Sequence, residues 1–94
     1  MTFESEQPPV RTVIREIRGI PFFLLREYLE DLGGTSQGDD RVEGQGWTAE
    51  LTRMEPFRLG SLSVGQTRLV LEIEDSLADD FLARFEMKTL RAGA

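Results

Sequence analysis

Residues 62–73 read LSVGQTRLVLEI, and the reading of this stretch decides the fold. Val64-Gly65-Gln66-Thr67 puts glycine at the first central position of a two-residue turn, which is the type II′ requirement. A turn there sets Leu62 opposite Leu69 and Gly60 opposite Leu71. Leu62, Val64, Leu69, Leu71 and Ile73 then share one face, with Ser63, Arg68, Glu72 and Glu74 behind it. The expectation is a β-hairpin with one apolar side.

Upstream, Trp47, Ala49 and Leu51 alternate with Thr48, Glu50 and Thr52, the period-two pattern of a half-buried strand. Arg41 to Gly46 leads into that strand, Pro56 ends or bends it, and Thr35 to Asp40 reads as a polar loop. Downstream, Ser76 and Asp79 have the spacing of a capping box, and Arg84, Lys88 and Arg91 lie towards the far end, as a helix dipole favours. Leu77, Ala78, Phe81, Leu82 and Phe85 form the core stripe of that helix, and Met87 and Leu90 fall off it. A first helix starts at Pro21 and stops at Gly33-Gly34. Its apolar face is Phe22, Leu24, Leu25, Tyr28, Leu29 and Leu32, while Phe23 stands among Arg26, Glu27 and Glu30. Val10 to Arg18 has helical spacing but β-branched composition, and its abrupt end at Gly19-Ile20-Pro21 favours a strand, with an irregularity near Val13-Ile14.

The expected fold class is therefore α+β. It has two layers: an antiparallel sheet of three to four strands with two helices on one face, in the order βαβββα. Residues 1–9 read as a flexible tail and 10–94 as a single domain.

Composition narrows the chemistry. Ninety-four residues form one domain, and the 17 acidic against 11 basic residues leave a net charge of −6. The absence of Cys removes disulfides and thiolate chemistry, and the absence of His removes the commonest general base and metal ligand. No cofactor or metal is expected. An acidic chain repels polyanions, so no nucleic acid is expected as partner, and no apolar run approaches a membrane span. Arg11, Arg15, Arg18 and Arg26 are the nearest thing to a basic patch, and read more simply as a solvated rim. Nine residues at the start with no basic-then-apolar pattern point to the cytoplasm.

Gly44-Gln45-Gly46-Trp47 could bring backbone N–H groups to an anion, but a strand follows it rather than a helix, and it carries no Lys. Asp39-Asp40 and Asp79-Asp80 lack the spacing of a calcium loop. Glu50 and Glu72 are the candidates for carboxylate-only acid–base chemistry, with nothing in the sequence to show that they converge.

The order helix, three strands, helix over Pro21 to Phe85, opening on PFFLLREYLEDLGG, resembles double-stranded-RNA-binding domains. In those domains the second helix opens on a Lys-rich segment; here the matching residues, Glu74 to Asp80, carry the opposite sign, so the topology is implied and the RNA binding is not. The combination of RGIP, YLEDLGG, GQGW and a C-terminal helix also resembles a small bacterial domain family of unknown function, which implies no activity. The function expected is that of a non-catalytic interaction module, self-associating as a homo-oligomer (a dimer) or docking on a protein partner. Phe23, Met87 and Leu90 are its candidate interface. The alternative is a small anionic-ligand-binding protein or minor enzyme using the sheet face or the GQGW loop, with Arg15, Arg18, Gly44 and Gly46 as ligand-binding residues.

Overall fold

Gly60-Ser61, not Gly65-Gln66, turns the central hairpin in the computed structural model, which describes residues 8–93. Gly60 has φ +59° and Ser61 a negative φ, so the requirement for glycine at the first central position is met five residues earlier than the sequence reading placed it. Strand β4 (Trp47–Leu59) runs up to this turn and β5 (Leu62–Glu74) runs back. Burial explains the choice between the two glycines. The pairs Trp47↔Ile73, Ala49↔Leu71 and Leu51↔Leu69 bring two apolar strand faces side by side. A turn at Gly65 would have placed Gly60 to Val64 between them. Leu62 and Val64 consequently leave the face of Leu69, Leu71 and Ile73, which is the second correction to the hairpin.

Strand β1 (Val10–Arg18) pairs antiparallel with β5 from Val10↔Glu74 to Arg18↔Gln66 without a register shift, so no irregularity falls at Val13-Ile14. Helix α1 (Phe22–Asp31) follows, then β2 (Thr35–Ser36), β3 (Arg41–Gly44), β4, β5 and helix α2 (Asp75–Gly93). The sheet has five strands in the order β1-β5-β4-β3-β2, every pairing antiparallel. The chain is α+β with two helices as expected, but five strands replace three to four and the order is βαββββα. β2 and β3 are added, while the separate strand expected to end at Val64 is lost, its residues becoming the ends of β4 and β5 on either side of Gly60-Ser61. Thr35-Ser36, read as loop, pairs with Val42-Glu43 because the tight end of α1 returns the chain directly onto that edge.

That end is a Schellman arrangement. Gly33, at φ +106°, donates its N–H to the Glu30 carbonyl (3.0 Å), and Gly34 donates to Leu29 (3.1 Å). At the start of α2, the Asp79 carboxylate accepts from Arg11 (3.0 Å), which also holds Asp75, and the helix begins one residue before Ser76. The Asp75 N–H is bound by the Pro9 carbonyl at 2.8 Å. Residues 1–7 of the predicted tail and the side chain of Arg91 lie outside the described residues.

The core lies between the helices and one sheet face. Leu25 and Leu29 of α1 and Ala78, Phe81 and Phe85 of α2 cover Val13, Trp47, Ala49, Leu51, Leu69, Leu71 and Ile73. Trp47, 6 % exposed, lies with its ring centroid 4.7 Å from that of Phe81, an aromatic pair within the favourable range. No helix among the described residues is long and apolar enough to cross a membrane.

Candidate interaction surface on the open sheet face

Alternation along β5 sends Thr67, Leu69, Leu71 and Ile73 to the helices and Leu62, Val64, Gln66, Arg68, Val70 and Glu72 to the opposite, open face. The same holds on β1, where Val13 is buried while Val10 and Ile14 are more than half exposed. The pairing of β1 ends at Gln66, and β3 pairs with β4 only as far as Glu50. From Phe57 to Val64 the hairpin is thus a two-stranded arm without sheet neighbours. Within it Phe57 pairs with Val64 and Leu59 with Leu62, which puts four apolar side chains together on the open face. Leu59 is 58 % and Leu62 66 % exposed. Unpaired apolar surface of this kind marks a contact site more often than a scattered surface leucine does.

The base of the arm is built around a bulge. Glu55-Pro56 lie opposite Gly65 alone, since the register shifts between Met54↔Gln66 and Phe57↔Val64. Proline has no N–H to offer a ladder and fits such a position. Gln66 fills the break: its amide donates to the Glu55 carbonyl (3.2 Å) and accepts from Arg18 Nε (2.9 Å). The Arg18 guanidinium in turn lies 3.7 Å from the centroid of the Phe57 ring, a cation–π contact that ties β1 to the arm. On the helix side, Arg53 covers Phe22 in the same way at 3.9 Å, beside a cavity of about 170 Å³ lined by Ile20, Phe22, Met54 and Thr67 among others.

Charge is divided along the sheet. Seven of the ten described basic residues reach a carboxylate: Arg11, Arg15, Arg26, Arg41, Arg68, Arg84 and Lys88. The other three, Arg18, Arg53 and Arg58, all lie on the arm or at its base, and none has a carboxylate partner among the described residues. At the opposite end of the open face Arg41 stands among acids, 2.8 Å from Glu43 and 2.7 Å from Glu50. The hydrogen bond with Glu43, with the charges of Glu43, Glu50 and Glu72, raises the Arg41 guanidinium above its ordinary value. Glu50 and Glu72 therefore do flank one small cavity, about 60 Å³, but with Arg41 among them.

The four residues proposed for an anionic ligand are not brought together. Arg15 points to the helix side and pairs with Glu86 at 3.6 Å, whereas Arg18 is on the open face. Gly44 ends β3 and Gly46 lies in the β3–β4 turn, about seven residue rows from Arg18, roughly 23 Å along the strands. Both glycines serve packing. A Cβ on Gly44 would come within 2.2 Å of the Trp47 ring, and one on Gly46, at φ +86°, within 2.6 Å of Leu77. Of the expected interface residues, Phe23 lies apart from Met87 and Leu90, which are neighbours three residues apart on α2. Phe23, 55 % exposed, sits at the start of α1. Met87 borders a cavity with Asp31 and Leu32 at the other end of that helix, roughly 12 Å of helical rise away. Leu90 is also exposed, further along α2. Sequence reasoning missed the arm, although the signal was present in Leu59-Gly60-Ser61-Leu62, a second glycine turn flanked by leucines.

Duplex RNA gives the arm's arginines a direct trial. Three arginines in a chain of net charge −6, with Asp75, Asp79 and Asp80 opening α2, should give no micromolar binding at physiological salt. Fluorescence anisotropy checks this, and salt-sensitive micromolar binding contradicts it.

The model of the family described as Archaeal MoaD-like protein matches residues 13–94. No curated protein matches the chain.

Proposed function

The chain belongs to the archaeal MoaD-like family, and from that premise we propose that it is a non-catalytic interaction module whose docking surface is the open sheet face, led by the hairpin arm. The observation that carries this reading is the cross-strand quartet Phe57, Leu59, Leu62 and Val64, held beyond the last sheet neighbours on a stiffened base. Phe57 and Val64 at the base of the arm are half-buried, but Leu59 and Leu62 at its tip are left exposed by their own chain. Their apolar side chains become useful when a second surface covers them. The family name hints at a small ubiquitin-like domain, a kind of chain that suits a docking role. On the helices, Phe23 stands alone and Met87 and Leu90 form a pair on α2, exposed apolar residues of a kind that surfaces tolerate.

Site-specific cross-linking in cells tests the proposal. With the photoreactive p-benzoylphenylalanine in place of Leu62, illumination is expected to give a discrete adduct, and in place of Glu27, on the charged side of α1, none. Equal labelling at the two positions, or none at Leu62, would remove the arm as a docking surface.

A further inference from the structure

We infer that the cleft between the start of α1 and the β4–β5 ladder binds a small organic monocarboxylate. Arg53, Thr67 and the first N–H groups of α1 hold the charge, and Ile20, Phe22 and Met54 cover the apolar body. The inference stands apart from the docking role, since none of the apolar quartet on the arm lines this cleft.

Three kinds of donor meet there. Arg53 and Thr67 are direct cross-strand partners, so both side chains rise from the helix side of the sheet with Cβ atoms about 5 Å apart. Thr67 is 3 % exposed, the one polar residue buried among the described residues. A polar side chain so placed is ordinarily hydrogen-bonded. Its hydroxyl has no partner among the described residues, and it is not sealed in the core, because no fully enclosed side-chain oxygen there is unpartnered. It opens instead on the cleft that Thr67 lines. The Arg53 guanidinium stacks over the Phe22 ring at 3.9 Å. Stacking uses the face of the group and leaves its edge N–H groups free to grip a carboxylate in bidentate fashion.

Helix α1 supplies the third donor. Its N-cap is Pro21, with no capping side chain and no acid in the first turn. The N–H groups of Phe22 and Phe23 find no acceptor among the described residues, and uncapped N–H groups at a helix start favour an anion.

The walls set the class of ligand. No carboxylate lines the cleft, and its volume of about 170 Å³ compares with the roughly 150 Å³ that accommodate benzene. One arginine, a few uncharged donors and apolar walls match a single negative charge on a short hydrocarbon body. A dianion such as phosphate would meet too little positive charge in a chain of net charge −6. Asp40, which borders Arg53 in an adjoining cleft without pairing with it, adds to that bias.

Sodium benzoate is the probe. Titrated into the isotopically labelled full chain at constant ionic strength, it is expected to move the amide signals of Phe22, Phe23 and Thr67 along a saturable curve in the millimolar range. Benzamide, of the same shape without the charge, should bind at least ~10-fold more weakly, and Arg53→Gln should weaken benzoate by a similar factor. Thr67→Val keeps the shape of the buried side chain and should weaken benzoate about 3-fold through loss of the hydroxyl. Arg58→Gln removes another arginine without a carboxylate partner, outside the cleft, and should change nothing. Shifts that stay linear with concentration, equal binding of benzamide, or indifference to Arg53→Gln would each overturn the inference. Inorganic phosphate binding more tightly than benzoate at the same amides would also overturn it, because the cleft would then select charge alone.

Discussion

Trp47→Ala is expected to lower the melting temperature by at least ~12 °C. The ring is 6 % exposed, lies against Phe81 and shares the sheet face of Ile73 and Leu71. Truncating a buried large aromatic costs about 3–5 kcal/mol through lost transfer energy and the cavity left behind. A domain of this size has on the order of 5–14 kcal/mol in total, and each kcal/mol moves its midpoint by roughly 4–8 °C. Thermal denaturation followed by circular dichroism checks the expectation. A variant that melts within a degree or two of the parent would mean that the ring does not close the core between the two helices.

The second large effect comes from adding a single carbon. At Gly34 a Cβ would stand 2.4 Å from Val42 Cγ1, 2.6 Å from Trp47 Cη2 and 3.0 Å from the Leu29 carbonyl oxygen. All three neighbours are buried or part of a helix backbone, so none can move away freely. Gly34→Ala should therefore destabilise by about 1–3 kcal/mol, the usual cost of overpacking. The gain in helix propensity normally expected of such a change does not apply, because the residue lies past the end of α1. Gly33→Ala is the informative neighbour: nothing stands within 4 Å of its Cβ, and its cost comes from φ +106° alone. The clash can be assigned with Trp47→Leu, which removes the ring but leaves Val42. In that background Gly34→Ala should cost less, by at least ~0.5 kcal/mol, a coupling typical of residues in contact. Strict additivity of the two changes would show that the ring and the glycine do not meet. Urea denaturation of the four proteins measures the cycle.

Much of the fold could be read from local patterns. α1 follows from the stripe of Phe22, Leu25 and Leu29 and the paired glycines, and α2 from Ala78, Phe81 and Phe85. Trp47, Ala49 and Leu51 face the core as their alternation indicated. What local pattern could not decide was which of two glycines turns the hairpin. Gly60 and Gly65 satisfy the same conformational rule, and the choice depends on burying Leu69 to Ile73 beside β4, a contact between distant residues. Strand β2 was illegible for a similar reason: Thr35-Ser36 has no apolar alternation and is held in the sheet only by backbone pairing with β3. The reading of the open sheet face suffered most from the misplaced turn. With the turn at Gly65, Leu62 and Val64 belong to the core and Phe57 has no partner. With it at Gly60, they become the exposed arm. Phe23, Met87 and Leu90 were read as lying off their helical stripes, and all three are exposed; separate helical wheels do not show that Phe23 lies apart from the other two.

The bulge at Glu55-Pro56 also bears on colloidal behaviour. Beyond Glu50 the outer side of β4 has no strand beside it until Leu59, a bare edge of the kind that templates runaway strand addition and fibre growth. Pro56 brings no N–H to the strand, the two-against-one register interrupts it, and Arg53 and Arg58 add like charges on either side. An incoming strand would find its ladder broken midway along. A chain that exposes leucines on an unfinished sheet can thus resist polymerising by strand addition, because its growable edge is blunted.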